Sequence, residues 1–399
     1  MATKRTDPNG EPAAGTDTAA RAWLAKQGAS ILAEQIELAR IPAPPFEERT
    51  RAEAIATRLA DLGLASAFDE VGNLHAWFPR NAAVDTPPIV IAAHVDTVFG
   101  PGTTIDIRSE GDRWVGPGIT DNARGLAVSL VVLRALLRGD ISPRHPILFA
   151  FTVGEEGRGD LRGVKHLFRA SSPLRAATAF IAVDGSGLRR IIHQALGSRR
   201  FRVSVRGPGG HSWTDWGRTN PANAVGEFIY SLARLDLPPQ PRTTLTVARL
   251  GGGTSINAIP AESWVELDLR SEAADTIQRT ESRLHELADI AVEAERGRGT
   301  GELTIDWEPI GERPAGILAT SHPLVQAAVQ ASRAAGAEPE FAASSTDANV
   351  PMALGIPAIA IGGGGDSGDT HTEHEWFVDS DGALGALRLF DILATLASF

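Results

Sequence analysis

Three apolar runs constrain this chain more than any other feature. "PPIVIAAHVDTV", "HPILFAFTVG" and "ATAFIAVDG" are rich in Ile, Val, Ala and Phe, and none alternates with polar residues. A strand that alternates leaves one face in water; a strand that does not must be covered on both faces, as in a parallel sheet. Helical patterns such as "NARGLAVSLVVLRALLRGD" lie among these runs. Strand and helix in alternation predict an α/β domain with a mainly parallel sheet flanked by helices. Ligands of such sheets gather at the carboxyl ends of the strands, so the residues that follow each run carry the functional question.

Those residues are imidazoles and carboxylates. "AAHVDTV" supplies His94 and Asp96, "GPGITDNARG" Asp121, "GEEG" Glu155 and Glu156, and "AVDGS" Asp184. His371 lies in "GDTHTEHEW", after a further apolar run, "PAIAIGG". Singly, each has an ordinary explanation. Asp121 can be a helix N-cap, Asp184 before a glycine can form a turn, and two glutamates can sit on the surface. Together they place several charges at one sheet edge, where carboxylates are rarely buried unless paired or metal-bound. The chain has no cysteine, which excludes disulfides and thiolate catalysis; a zinc site must use His, Asp and Glu. Two imidazoles with three or four carboxylates suit a pair of Zn²⁺ ions, or Mn²⁺ or Co²⁺.

Of 399 residues, 43% are hydrophobic, enough for two domains. A net charge of −11 argues against nucleic acid or an anionic membrane as the main partner. No signal-peptide core and no apolar run of about 18 residues is present, so a cytoplasmic protein without a membrane span is expected. Residues 1–20 read as a flexible tail. "RAWLAKQGASILAEQIELARI" has the apolar spacing of a helix running to "PAPP", and "FEERTRAEAIATRLADLG" that of a second. Near Ile191 the texture changes. "RFRVSVRG", "TTLTVARLGG" and "SWVELDLRS" alternate polar and apolar residues, with two helical patterns between and after them. Residues 191–310 are therefore expected to form an α+β domain inserted into one built from 21–190 and 311–399.

The motifs "HVDTV", "GPGITDNARG", "GEEG", "VDG", "GPGGHSW", "INAIPAE" and "HTEHEW" occur in this order. In order and spacing the chain resembles the dinuclear zinc hydrolases that include peptidase T, carboxypeptidase G and acetylornithine deacetylase, most of all the peptidase T-like branch. The resemblance implies a zinc-exopeptidase-like fold and a role for each position. Asp121 bridges two metals; His94 and Asp184 complete one, Glu156 and His371 the other. Asp96 stands behind His94 and fixes its ring. Glu155 is the general base, taking a proton from a water whose pKa the two metals lower and giving it to the leaving amine. The Asp121–Asn122 peptide is expected to be cis. The inserted domain forms a homodimer and acts as a lid, and His211 reaches the partner's site to stabilise the oxyanion. Asn257, Asp347 and Arg270 fall at family positions that point to substrate binding, and Asp347 can also be read as a helix cap. The family pattern H-x-x-x-E is met by His371 and Glu375, which leaves His374 as an additional histidine. Arg124 replaces other residues of relatives and is expected to tune substrate choice. His145, His166, His193, His285 and His322 fit no constellation.

The expected activity is metal-dependent hydrolysis of short peptides from the amino end. Among relatives, Asp at position 184 goes with aminopeptidases and dipeptidases, and Glu with carboxypeptidases and deacylases. An N-acyl amino acid deacylase is the alternative within the same chemistry. A relative that binds metal without catalysis is a third reading, opposed by the presence of all five ligands and the base. "GGGGDSG" also follows a strand, but it lacks the dinucleotide G-x-G-x-x-G spacing and leads to His371 rather than into a helix.

Overall fold

The computed structural model describes residues 16–80, 86–139 and 141–399. The chain forms two compact units, one of residues up to Ala195 and from Ile317 onward, the other Leu196–Gly316.

The first unit is an α/β sandwich. Its sheet has a parallel centre ordered Ile147–Thr152, Ile89–His94, Ala179–Val183, Ala358–Ile361. Leu74–Phe78 adds antiparallel on one side and Arg190–Ala195 on the other. The three apolar runs read from sequence occupy the middle, where every residue is buried. Alternate side chains serve opposite cores. Ile89, Ile91 and Ala93 pack with Leu126, Leu130 and Leu133 of helix Ala123–Arg138 and with Leu389 and Phe390 of helix Leu384–Ala397. Val90 and Ala92 pack on the other face with Val164, Leu167 and Met352. The register pairs His94 with Thr152 and Val183 with Ile361, so the central strands end at one level and release their polar residues at one edge.

The N-terminal helical pattern is divided. Helices Thr16–Leu24 and Gly28–Ala39 replace the single helix expected. The second begins where a Cβ on Gly28 would lie 3.0 Å from the Gly382 Cα, a close approach of two distant backbones that local periodicity does not encode. Of the expected tail, residues 1–15 lie outside the described residues, and the chain is helical from Thr16 with Ala20 buried. Among the described residues, no helix is long and apolar enough to cross a membrane.

The second unit is a four-stranded antiparallel sheet ordered Thr243–Gly252, Glu262–Ser271, Gly197–Arg206, Thr304–Arg313. Helices Pro221–Leu232 and Ala274–Arg296 cover one face, burying Val203, Val205, Val265 and Leu267 against Phe228, Leu284 and Ala288. The alternate positions Trp264 and Glu266 carry the polar face: Arg202 and Arg249 each bond Glu266 at 3.1 Å and lie over the Trp264 ring. Period-two patterning thus produces a one-sided sheet here, against the two-sided sheet of the first unit.

Candidate metal centre

The loop leading into helix Ala123–Arg138 places Asp121. Gly118 has φ +71°, and a Cβ there would stand 2.8 Å from Thr97 Cγ2, so this turn needs glycine. The Asp121–Asn122 bond is cis. The helix cap is Asn122 rather than Asp121: its Oδ1 accepts from Gly125 N at 3.2 Å. Its Nδ2 donates to Val183 O at 2.8 Å, tying the Asp121 loop to the strand end that carries Asp184. Asp121 is thereby left with its carboxylate uncommitted to the backbone.

That carboxylate is shared. Oδ1 lies 2.9 Å from His94 Nε2, and Oδ2 lies 3.1 Å from His371 Nε2. Asp184 Oδ1 is 3.6 Å from His94 Nε2, and Glu156 Oε1 is 3.1 Å from His371 Nε2. Two ligand-like triads result, His94–Asp121–Asp184 and Asp121–Glu156–His371, each with donor atoms within 4.8 Å of one another. A third group joins His94 with Glu155 and Glu156. The five positions proposed as ligands are therefore gathered around one aspartate, with Glu155 beside them.

Asp96 supports this edge differently from expectation. His94 Nδ1 meets the backbone carbonyl of Asp96 at 3.0 Å, while the Asp96 carboxylate is 3.7 Å from that nitrogen. The carboxylate instead accepts the amides of Glu155 at 3.0 Å and Glu156 at 2.8 Å, one on each oxygen. Asp96 thus fixes the imidazole with its main chain and the Glu-Glu turn with its side chain.

The electrostatics fit cations. Hydrogen bonding to a carbonyl puts the His94 proton on Nδ1, so neutral His94 turns a lone pair at Nε2 toward the carboxylates. Acceptor then faces acceptor, an arrangement that requires a proton or a metal between them. Burial opposes charge on His94, but Asp121, Asp184 and Asp96 together hold its pKa well above the ordinary value. Asp121 and Glu156 push His371 up to about 10. Burial likewise opposes ionisation of Asp121, and the two imidazoles outweigh it and hold the carboxyl below the usual range. Burial raises Glu156. The cluster draws in positive charge from whatever source is present, and its His and carboxylate donors suit two Zn²⁺ or similar divalent ions.

Glu375 is the residue whose role sequence reading missed, although the H-x-x-x-E pattern had placed it in view. It is fully buried, and its Oε1 accepts from Thr120 N at 2.8 Å and Asp121 N at 2.9 Å. Burial, then the Asp121 charge, raises its pKa to about 7. Two other expectations are corrected. Arg124 is buried and donates to Gly363 O at 2.8 Å and Gly382 O at 2.9 Å, with Asp379 and Asp381 alongside; it fastens a helix to two loops and is not placed to select substrate. Asp347 is buried and accepts from the Thr152 hydroxyl. It caps no helix: Thr346 Oγ1 accepts from Ala348 N at 3.2 Å and Asn349 Oδ1 from Thr346 N at 2.9 Å, and burial raises the Asp347 pKa to about 6. Elsewhere, His145 meets the Pro87 carbonyl, His193 the Leu318 carbonyl and His166 the Glu70 carboxylate, His322 caps helix Pro323–Ala334, and His285 stacks on Trp307.

In the second unit, His211 and Asn257 meet on one exposed tip. Gly210–His211 pairs with Ala258–Ile259, and Ser212 N donates to Asn257 O at 3.0 Å. His211 Nδ1 accepts from Trp213 N at 3.2 Å and Thr214 N at 3.4 Å, which leaves the proton on Nε2. Arg270 is on strand Glu262–Ser271, bonded to Asp268 at 3.0 Å.

The sequence profile of peptidase family M20/M25/M40 matches residues 90–395, most of the chain. The chain belongs to this family. The M20 assignment makes it a hydrolase of C–N bonds from a metallopeptidase family. Among relatives, the succinyl-diaminopimelate desuccinylase of Nitrosospira multiformis is 26% identical over 333 residues, covering 78% of this chain and 83% of its own. The aminopeptidase PepT of Bacillus cereus has the same fold, with a TM-score of 0.74 and 22% identity over 92% of this M20 chain and 98% of its own. So does the YxeP protein of Bacillus subtilis, a dinuclear metal-binding peptidase of the M20 family, with a TM-score of 0.66 and 16% identity over 96% of this chain and 99% of its own.

Proposed function

We propose that this M20 protein is a cytoplasmic, dinuclear metal-dependent exopeptidase that removes residues from the free amino end of di- and tripeptides. The observation that carries the reading is the division of the Asp121 carboxylate between two triads, one oxygen to each. His94, Asp121 and Asp184 would hold one ion, and Asp121, Glu156 and His371 the other, with Zn²⁺ best matching the donor set. When bound, the ions would polarise the scissile carbonyl and lower the pKa of the attacking water. Glu155, held by the Asp96 grip on its amide, would take the proton from that water on its carboxylate and pass it to the leaving amine. His211 would donate from Nε2 to the oxyanion; the two backbone amides on Nδ1 set the tautomer for that task. In this reading the second unit builds a homodimer and His211 serves the partner chain, with Asn257 beside it. Arg270 is retained as a substrate-binding candidate.

Specificity for an amino terminus is supported by the surplus of carboxylates at the sheet edge. A substrate ammonium suits that field, whereas an acyl cap brings bulk and no charge. A deacylase of N-acyl amino acids is the second reading, favoured by the desuccinylase relative. The experiment is hydrolysis of short peptides, free and N-acetylated, by enzyme loaded with zinc, manganese or cobalt. The free peptide is expected to be cleaved faster with every active metal. Faster cleavage of the acetylated peptide replaces the aminopeptidase reading with the deacylase.

A further inference from the structure

We propose that Glu375 is the positioning residue that fixes Asp121 relative to His371. His371 and Asp121 are far apart in sequence, and His371 lies on a tight turn in which Thr372 N and Oγ1 donate to Asp369 O at 3.1 and 2.7 Å and Thr372 Oγ1 accepts from His374 N at 3.2 Å. The His371 side chain is half exposed and its φ is +68°, with Asp369 at +53°. His371 lies in neither a helix nor a strand. Four residues on, at Glu375, the chain is tied to the rest of the unit. Glu375 N donates to Thr372 O at 3.1 Å, closing the loop, and Glu375 O accepts from Gly116 N at 2.8 Å. From that point strand Trp376–Val378 pairs with Arg113–Val115. The side chain then reaches inward and accepts the consecutive amides of Thr120 and Asp121. One residue therefore stitches both ends of the Gly116–Asp121 turn to the base of the His371 loop.

The chemistry of the contact is specific. The two amides need a single acceptor at a fixed reach, and a buried amide left without one costs about 1–3 kcal/mol. The acceptor sits on the backbone of the residue that both triads share, so its loss is transmitted to Asp121 before any other side chain. Partners of this kind, which orient a ligand without touching the metal, typically change metal affinity by about 10–100-fold when removed.

The inference rests on the reading that Asp121, Glu156 and His371 hold an ion. The test uses the full chain, stripped of metal by a chelator, then titrated with Zn²⁺ by calorimetry and melted with and without Zn²⁺. Glu375→Gln keeps an acceptor at the same reach and is expected to bind within a few-fold of wild type. Glu375→Ala is expected to bind the weaker of two ions about 10–100-fold less tightly, with a smaller metal-induced rise in Tm. Wild-type affinity in Glu375→Ala overturns the proposal, as does a Gln variant as weak as the Ala variant. An unchanged metal-induced rise on top of a uniformly lowered Tm assigns Glu375 to packing alone and also overturns it. If Glu375→Ala does not fold, Glu375→Asp takes its place, one methylene too short; wild-type binding by it is equally decisive against. Absence of Zn²⁺ binding by the wild-type chain refutes the metal reading itself, whereas two ions bound alike by wild type and variants refute only the role of Glu375.

Discussion

The sheet edge of the first unit and the His211 tip of the second solve opposite problems. At the edge, several carboxylates that repel one another are held together around two imidazoles by buried strands whose ladders end in register. The tip is exposed, flanked by glycines, and ordered by a handful of backbone bonds around one histidine. A cluster that must hold concentrated charge needs a scaffold stiff enough to resist its own repulsion. A single neutral donor needs only the right tautomer and a free approach. The difference explains why four secondary-structure ends build the first and a pair of two-residue strands suffices for the second.

The largest effect that separates the two regions lies within the edge itself. Glu155→Gln is expected to retain both metals and lose turnover by about 10²–10⁴, while Asp121→Ala loses turnover together with the metals. Elemental analysis beside a peptide assay checks the pair; equal metal loss in both variants breaks the separation of proton transfer from metal binding. At the tip, His211→Ala is expected to cost about 10²–10³ in rate with metal content unchanged. On the proposed homodimer with His211 serving the partner chain, mixing His211→Ala with Glu155→Gln subunits should restore activity after exchange, since one site of each mixed dimer would then be whole. No recovery after demonstrated exchange places His211 within its own chain's chemistry or outside catalysis.

The smallest effect concerns how the edge bears its buried charge. Burial raises Asp347 to about 6, so the folded metal-free protein binds this proton more tightly than the unfolded chain does. Its contribution is fully present below the unfolded pKa and is lost as pH rises to about 6, a fall of at most about 3 kcal/mol. Asp347→Asn should abolish that fall. Melting of both forms from pH 4 to 7 checks it; parallel curves show that Asp347 carries no such cost.

How much of this was legible in the sequence depended on how local the cause was. The central strands and their polar ends were legible because burial on both faces writes itself into consecutive residues. The one-sided second sheet was legible from its alternation. Glu375 was visible as a letter in a pattern but mute in function, because the amides it accepts belong to Thr120 and Asp121 on another loop. Arg124 was misread for the same reason: its two shortest hydrogen bonds go to the carbonyls of Gly363 and Gly382, which carry no side-chain signal. The break at Gly28 depends on Gly382, and the side chain of Asp96 on two amides in the following strand's turn. In each case the missing information was a backbone group from a distant segment.

The division of the larger sheet by an insertion has a consequence in time. Ala179–Val183 is made early, but its neighbour Ala358–Ile361 emerges only after the whole of Leu196–Gly316 has been synthesised. The four strands of the insert's larger sheet all lie within that one stretch of chain and have been made when that moment comes. A ribosome-bound chain therefore carries a finished insert while an apolar strand of the main sheet still lacks its seal, a state in which exposed edges invite wrong pairing. His371 arrives later still. The Asp121–Glu156–His371 triad is therefore made whole only after the His94–Asp121–Asp184 triad and after the strand that seals the sheet, with strand Trp376–Val378 and helix Leu384–Ala397 still to come.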